Sequence, residues 1–236
     1  MKIQNTRLDG GTYRDYPLVT AGLVFYADAG NPDSYPGTGT TWYDISGNGY
    51  DVTAQNSGDI SWNANGYFET GATGWWTGAG GANIPTGNDP YSMVVWANVS
   101  SWLDRGMVSI GGFNVINESN AFRTFSPTGL GSFRHYWWGN DLDATSNTAN
   151  LALNTWFMAV AQFNGTTREI WANITQLVTD TPVGHNVTSS TIQIAKTAGT
   201  EYLNNGKIGQ VWIYDRALTA GEILQNFDAG RSRYGV

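Results

Sequence analysis

Short apolar and aromatic runs alternate with turns rich in glycine and asparagine along almost the whole chain. The 236 residues include 30 Gly, 11 Trp, 12 Tyr and 9 Phe. Aromatic and β-branched side chains favour the pleated, half-buried surface of a sheet, and Gly supplies the backbone dihedrals of tight turns. Many short strands separated by turn signals are typical of a sandwich or barrel. A chain of this length can bury a sizeable core as one all-β domain.

The predicted strands share alternating or fully apolar patterns bounded by turn residues. They cover 21–28, 60–62, 67–69, 91–99, 106–110, 121–125, 132–138, 156–164, 168–174, 191–195 and 207–214. The segment 91–99 is apolar on both faces, with Met93 and Val95 on one face and Trp96 on the other. That pattern predicts a strand in the centre of a sheet.

One segment, 219–226, has a convincing helical pattern. Thr219 is a good N-cap, and Glu222 three residues later completes a capping box. An apolar stripe runs on to Phe227, and Gly230 is the predicted end of the helix. The sequence therefore predicts an all-β, two-sheet antiparallel jelly-roll sandwich with one short C-terminal helix.

The first twenty residues are polar and contain chain breakers at Gly10, Gly11 and Pro17. They predict an extended N-terminal arm over 1–20, followed by one domain over 21–236. The arm is either a frayed terminus or a tether to a larger assembly, since composition does not separate order from disorder. As a tether, it would dock through Arg7, Tyr13, Arg14 and Tyr16.

Charge and composition exclude several classes of partner. The net charge is −7, which has the wrong sign for a surface that tracks phosphates, so we expect no nucleic acid partner. No apolar run approaches the length of a membrane span, and no basic amphipathic helix is present. The N-terminal residues lack the apolar stretch of a secretory signal. Five Asn-x-Ser/Thr triplets are read as chance products of an Asn/Thr-rich sequence.

The residues of common catalytic sites are sparse. There are no cysteines and only two histidines, and no G-x-S-x-G elbow accompanies them. His135 is predicted to lie in a strand and His185 in a loop. The five Glu residues do not group into the carboxylate pair that a glycosidase needs. We therefore expect a protein that is not an enzyme.

Calcium is the one cofactor that the sequence leaves open. Asp141 and Asp143 are i, i+2 carboxylates in a polar loop, and Asp28, Asp33 and Asp44 form another acidic group. The alternative is that these are solvated turn carboxylates, with Asp44 closing an Asx-turn.

Two tryptophan pairs, 75–76 and 137–138, are candidates for sugar binding. Strand alternation sends one ring of each pair inward and the other outward. Trp76 and Trp137 are predicted as the outward rings that stack on a sugar, with Asn140 and Asp141 as hydrogen-bonding neighbours. The alternative is packing under a loop or against a neighbouring subunit. The tryptophans predicted to pack in the core or between strands are Trp42, Trp96, Trp156, Trp171 and Trp212.

Two terminal segments carry a family resemblance. Residues 22–49 read GLVFYADAGNPDSYPGTGTTWYDISGNG, and residues 206–227 read GKIGQVWIYDRALTAGEILQNF. With the middle segments 154–160 and 170–173, they resemble the laminin G-like branch of the concanavalin A-like lectin/glucanase superfamily over 21–235. Ile174 stands where the family usually has the Gly of a tight hairpin, so that turn is expected to differ.

The resemblance bears on both calcium and catalysis. Laminin G and lectin relatives often bind calcium at the rim of the sandwich. Glucanase members carry an E-x-D-x-(x)-E strand, and this chain lacks it.

Residues 22–49 are also similar to laminin G-like domains of tailed-bacteriophage virion proteins from marine and cyanobacterial phages. That resemblance implies a virion structural protein: a capsid decoration, a head fibre or a tail accessory subunit. Its expected partners are a major capsid or tail protein, further copies of itself and a host-surface polysaccharide. The alternatives are a carbohydrate-binding module or adhesin and, third, a polysaccharide hydrolase or lyase.

Overall fold

A computed structural model describes residues 17–112, 115–126, 131–146, 148–197 and 201–236, together with the backbone of two strands at 6–9 and 12–15. Tyr16 lies outside the described residues. The strands are β1 (Thr6–Asp9), β2 (Thr12–Asp15), β3 (Leu23–Asp28), β4 (Thr41–Trp42), β5 (Val52–Gln55), β6 (Ile60–Asn63), β7 (Tyr67–Thr70), β8 (Trp75–Gly78), β9 (Tyr91–Asn98), β10 (Arg105–Ile110), β11 (Asn120–Thr124), β12 (Phe133–Tyr136), β13 (Leu142–Ala144), β14 (Trp156–Phe163), β15 (Arg168–Ala172), β16 (Thr175–Asp180), β17 (Ile192–Ile194), β18 (Lys196–Thr197), β19 (Glu201–Tyr202) and β20 (Lys207–Tyr214). The helix α1 covers Ala220–Tyr234, and a short 3₁₀ turn covers Ser57–Asp59.

Two large antiparallel sheets form the body of the protein. The first sheet has the order β16-β15-β14-β9-β20-β7-β6, and β3 also pairs with β20. The second sheet has the order β13-β12-β11-β10-β17-β8-β5-β4. Two separate hairpins, β1–β2 and β18–β19, complete the fold. The predicted all-β jelly-roll sandwich with one C-terminal helix is thus confirmed.

Strand β9 shows how the sequence pattern builds two cores. Met93 and Val95 point into the core between the sheets, where Trp42 is fully buried. Val94 and Trp96 point the other way, into a second core beneath α1. β9 pairs with β14 on one side and β20 on the other, as expected of a central strand that is apolar on both faces.

Helix α1 packs against Trp96 of β9, and a glycine of the helix lies at the point of contact. The indole stacks between Phe227 and Tyr234, with ring centroids 5.6 and 4.6 Å away. A Cβ on Gly230 would lie 2.4 Å from Trp96 Nε1, so only glycine allows the helix to come this close. The predicted helix end at Gly230 is therefore wrong, because this glycine serves packing in mid-helix. The helix ends instead at Gly235, whose φ is 71°.

The start of the described domain is tied to its last elements. Val19 N donates to Asn226 Oδ1 (3.0 Å), and Tyr214 Oη donates to Val19 O (3.0 Å). Residues 17–20 therefore pack as part of the sandwich rather than as part of a free arm. Ahead of them the chain is a hairpin, in which Arg7 pairs with Arg14 across β1 and β2.

The β15–β16 hairpin keeps a two-residue turn despite Ile174. Ala172 pairs with Thr175, which leaves Asn173 and Ile174 as the turn. Asn173 adopts the left-handed conformation, with φ of 53°. Asn tolerates this region better than most residues, and Ile174 does not have a positive φ, so a glycine at 174 is not needed.

Candidate functional site

A polar cleft opens where the outer face of the first sheet meets the segment that leads into α1. Its volume is about 340 Å³, and its walls come from β14, β15, β16 and residues 217–220. The lining side chains with chemistry to offer are Gln162, Asn164, Thr167, Glu169, Trp171 and Gln176.

The alternation of β15 aims two of these residues into the cleft. Ile170 is fully buried between the sheets, so its neighbours Glu169 and Trp171 point to the outer face. Sheet register then places Gln162 directly beside Glu169 and Gln176 directly beside Trp171. The cleft floor is therefore set by three adjacent strands.

Gln162 fixes the floor of the cleft to the start of the helix. Its Nε2 donates to Glu169 Oε2 (2.8 Å) and to Leu218 O (3.1 Å). Its Oε1 accepts from Leu218 N (2.9 Å) and from Ser92 Oγ (3.0 Å). Both the nitrogen and the oxygen of this buried amide are hydrogen-bonded, so it positions its neighbours rigidly.

Glu169 has one oxygen held and one oxygen available. Oε2 accepts from Gln162 Nε2 and from Trp171 Nε1, both at 2.8 Å. Among the described residues, no hydrogen bond reaches Oε1. A fixed carboxylate with a free oxygen can accept hydrogen bonds from ligand hydroxyls.

Trp171 supplies the aromatic part of the wall. The ring is half-buried against the core beneath α1, so packing holds it while one part remains accessible. An amphipathic ring beside hydrogen-bonding groups suits ligands that have both C–H faces and hydroxyls. Among the residues that line the cleft there is one carboxylate and no lysine or arginine.

The tryptophans predicted to face a sugar lie inside the core instead. Trp76 is 1% exposed and Trp137 is 0% exposed. Alternation within each pair is as expected, but the direction is reversed, so Trp75 and Trp138 are the half-buried members. The reason is that the second sheet presents Trp76 and Trp137 to the first sheet, where large rings fill the space between the layers.

Trp137 lies at the centre of a buried polar cluster that joins the two sheets. Its ring stacks on His185, with 3.7 Å between centroids, and the Arg168 guanidinium lies 4.2 Å from its centroid. Trp137 Nε1 donates to Tyr91 Oη (3.0 Å), which also bonds His135 Nε2 (2.8 Å). His135 lies in β12 and His185 in a loop, as predicted.

Burial dominates the electrostatics of this cluster. It lowers the pKa of His135 well below the usual range, and the nearby Arg168 charge lowers it further. Burial likewise lowers the pKa of His185 to about 4. Both imidazoles are therefore neutral at pH 7.

Asp141 and Asp143, the candidates for calcium binding, both interact with an arginine. Arg134 makes two 2.6 Å hydrogen bonds to Asp143, and its Nη1 lies 3.4 Å from Asp141 Oδ2. Asp141 Oδ1 accepts from Trp137 N (3.0 Å), and the backbone carbonyl of Asn140 accepts from Arg168 Nη1 (2.8 Å). These residues stabilise the loop.

Two members of the second acidic group, Asp28 and Asp44, are also engaged within the protein, whereas Asp33 is exposed. Asp44 accepts from Tyr26 N and Ser46 N, both at 2.9 Å, which confirms the Asx-turn. The carboxylate of Asp28 pairs with Arg233 at the end of α1. Within the described parts of the chain, no group of three or more His, Cys, Asp or Glu side chains is arranged to hold a metal ion. In the same residues, no helix is both long and apolar enough to cross a bilayer.

Sequence reasoning missed Glu169 and Trp171 as a pair. The sequence pattern predicts no carboxylate pair for any Glu, and it predicts that Trp171 packs in the core or between strands. The signal was available in Arg168-Glu169-Ile170-Trp171-Ala172, since alternation places the acid and the indole on one face.

Comparison with known proteins agrees with this architecture. A laminin G family model, described as Concanavalin A-like lectin/glucanases superfamily, matches residues 77–224, which is more than half of the chain. No curated protein matches the sequence.

Several solved structures share the fold at low identity. One is domain 4 of AbnA, a GH43 extracellular arabinanase from Geobacillus stearothermophilus, whose structure was solved in complex with arabinotriose. It is 14% identical to this chain with a TM-score of 0.65, and the alignment covers 87% of this chain and 98% of that domain. Botulinum neurotoxin type C, whose cell entry depends on two ganglioside molecules, is 16% identical with a TM-score of 0.64, covering 88% and 51%. The binding domain of Paraclostridial Mosquitocidal Protein 1 is 15% identical with a TM-score of 0.64, covering 87% and 52%.

The chain therefore spans about half the length of the two toxin chains and nearly all of the arabinanase domain. At these identities the likeness concerns the fold. The family match, the two antiparallel sheets and the C-terminal helix agree with one another, and the chain belongs to the concanavalin A-like lectin/glucanases superfamily.

Proposed function

We propose that this chain is a glycan-binding module without catalytic activity, and that the cleft beside α1 takes up a neutral sugar. The observation that carries this proposal is the pairing of Trp171 with Glu169, whose Oε2 is held by two donors while its Oε1 accepts no hydrogen bond from the described residues. A sugar would place a C–H face against the indole and donate a hydroxyl to the carboxylate.

The charge of the cleft sets the class of sugar. Glu169 repels a carboxylate or sulfate, and among the described residues no lysine or arginine lines the cleft to offset that repulsion. The exposed amides of Asn164 and Gln176 add uncharged groups for hydroxyl recognition. A volume of about 340 Å³ accommodates a short segment of a glycan rather than a large branched one.

A domain of the same fold supports the proposal. Domain 4 of the arabinanase AbnA was solved with arabinotriose, a neutral oligosaccharide, and this chain covers nearly all of it. The absence of catalysis is proposed because glycosidases need two carboxylates on either side of the bond, and Glu169 is the single acid among the lining residues.

The test is binding of neutral oligosaccharides, arabinotriose among them, measured by a glycan array and then by calorimetry. Trp171→Ala is expected to weaken binding at least about tenfold, because the stacking surface is lost. Trp62→Ala is the matched control, since Trp62 is an exposed strand tryptophan that does not line the cleft. Equal affinity of Trp171→Ala and wild type would refute the cleft as the sugar site.

We also propose that the module acts on the surface of a tailed-phage particle, docked to a major capsid or tail protein. The support is the similarity of residues 22–49 to laminin G-like domains of phage virion proteins. The β1–β2 hairpin ahead of the domain is the segment proposed to dock. Mass spectrometry of purified virions is the test, and particles that lack the chain would rule out this location.

A further inference from the structure

A small hairpin lies across the outer face of the second sheet, on the side of the molecule opposite α1. The hairpin is β18–β19, and it contacts the sheet at Gly106 of β10. A Cβ on Gly106 would lie 2.2 Å from Thr197 N, so the two backbones touch. Glycine at this position is what lets the hairpin rest directly on the sheet.

The hairpin brings a lysine over two aromatic rings. Lys196 pairs directly with Tyr202 across the hairpin. Its Nζ lies 3.9 Å from the centroid of Trp75 and 5.3 Å from the centroid of Tyr202. All three side chains are half-buried, so the ammonium is held between the rings while one side of it remains accessible.

No acidic side chain neutralises this ammonium. Among the described residues, no carboxylate lies within 4.0 Å of Lys196, and the adjacent Glu201 is directed to Arg123 (3.4 Å) instead. Lys207 shows the usual arrangement: it also lies over a ring, 5.0 Å from the centroid of Tyr67, but pairs with Glu69 at 3.1 Å. Partial desolvation lowers the pKa of Lys196, which is the effect expected of a cation without a partner.

Hydrogen-bonding groups extend from the same face. Gln55 lies directly beside Trp75 in the sheet, and Gln193 lies beside Thr77. Ile192 and Ile194 are fully buried, so Gln193 between them points outward. The cation therefore stands among aromatic faces and amides, which is the chemistry of a site for an acidic sugar.

We propose that Trp75, Lys196 and Tyr202 form a second glycan site, specific for anionic sugars. The carboxylate of a uronic acid, or a sulfate in the same place, pairs with the Lys196 ammonium. The sugar ring lies along Tyr202, and the amides of Gln55 and Gln193 bond its hydroxyls. This site is distinct in place and in charge from the neutral-sugar cleft, and it does not depend on that cleft.

The test uses the full chain with three probes measured by calorimetry: a galacturonic acid oligomer, a sulfated galactan oligomer and a neutral galactan oligomer. Wild type is expected to bind at least one anionic probe, to bind it more weakly as salt is raised, and to bind the neutral one at least about tenfold less at this face. Lys196→Met should weaken anionic binding by about tenfold to a hundredfold, because a charge-assisted contact is lost while the aliphatic packing is kept.

Lys207→Met is the matched control, because it removes a lysine over a ring whose charge Glu69 already neutralises. It is expected to leave anionic binding within about twofold of wild type. Lys196→Arg keeps the positive charge and should therefore retain binding. Loss of binding in Lys196→Met alone would then be due to the lost charge and not to a disturbed fold. The proposal is overturned if neither anionic probe binds, if Lys196→Met binds as wild type does, or if Lys207→Met loses as much affinity as Lys196→Met. Loss of neutral-sugar binding in Trp171→Ala has no bearing on this result.

Discussion

Acid should destabilise this protein well before its carboxylates are protonated. His135 and His185 are buried as neutral imidazoles beside Trp137, and burial lowers the pKa of both. In the unfolded chain each has a pKa near about 6.5. Below that pH the histidines are protonated in the unfolded state but remain neutral in the folded state. The free energy of unfolding therefore has its full value above about pH 6.5 and falls as the pH is lowered.

The magnitude follows from the size of the shift for His185. The pKa of His185 is about 4 in the folded state and about 6.5 in the unfolded state. Because of this difference, the free energy of unfolding should fall by about 2.5 kcal/mol when the pH is lowered from 7.5 to 4.5. The slope approaches about 1.4 kcal/mol per pH unit for each histidine over that range.

The assay is urea unfolding followed by tryptophan fluorescence at pH 7.5, 6.0, 5.0 and 4.5. His185→Phe keeps a ring stacked on Trp137 and removes the titrating group. The variant will be less stable at pH 7.5, because the bond from His185 to Ser119 O is lost. Its stability should nevertheless fall by about 2.5 kcal/mol less than that of wild type between the extreme pH values. Parallel curves for the two proteins would refute the reasoning.

Two stability predictions follow from packing and hydrogen bonding. Gly230→Ala should lower stability by about 1–3 kcal/mol in thermal unfolding, because its Cβ would lie 2.4 Å from Trp96 Nε1. Gly221→Ala, in an open part of the same helix, should be neutral or slightly stabilising, because alanine has the higher helix propensity. Equal loss in both variants would contradict the contact with Trp96 as the cause. Asp44→Ala should cost about 3 kcal/mol in urea unfolding, because four donors lose a carboxylate that is 9% exposed. Asp33→Ala, at an exposed position, should change stability by less than about 0.5 kcal/mol, and a comparable loss there would show that the Asp44 network is not special.

The parts of the fold that the sequence predicts are those with a local cause. The alternation of β9 and the Thr219–Glu222 capping box are both set within a few residues, and both are confirmed. The polar edge strand β16 was missed, because its exposed residues carry no strong apolar period. The end of α1 was misplaced for a different reason: Gly230 is required by its contact with Trp96, which lies far away in sequence.

The candidate site was harder to predict, because which side chains of a strand face the core depends on how the two sheets pack. Alternation shows that Trp75 and Trp76 face opposite ways, but which one is buried depends on where the other sheet lies. The cleft likewise joins Gln162 to Leu218, which are brought together only when α1 folds back on the first sheet. Glu169 and Trp171 were within reach of sequence reasoning, whereas the segment that completes the cleft was not.

The attachment of Val19 has a mechanical consequence. Its two hydrogen bonds join the start of the packed domain to Tyr214 and Asn226, near the end of the chain. A force applied to the chain at the β1–β2 hairpin would therefore be transmitted through Val19 to β20, which lies inside the first sheet, and to α1. Tension on a tether would thus load a strand that is paired with β3, β7 and β9.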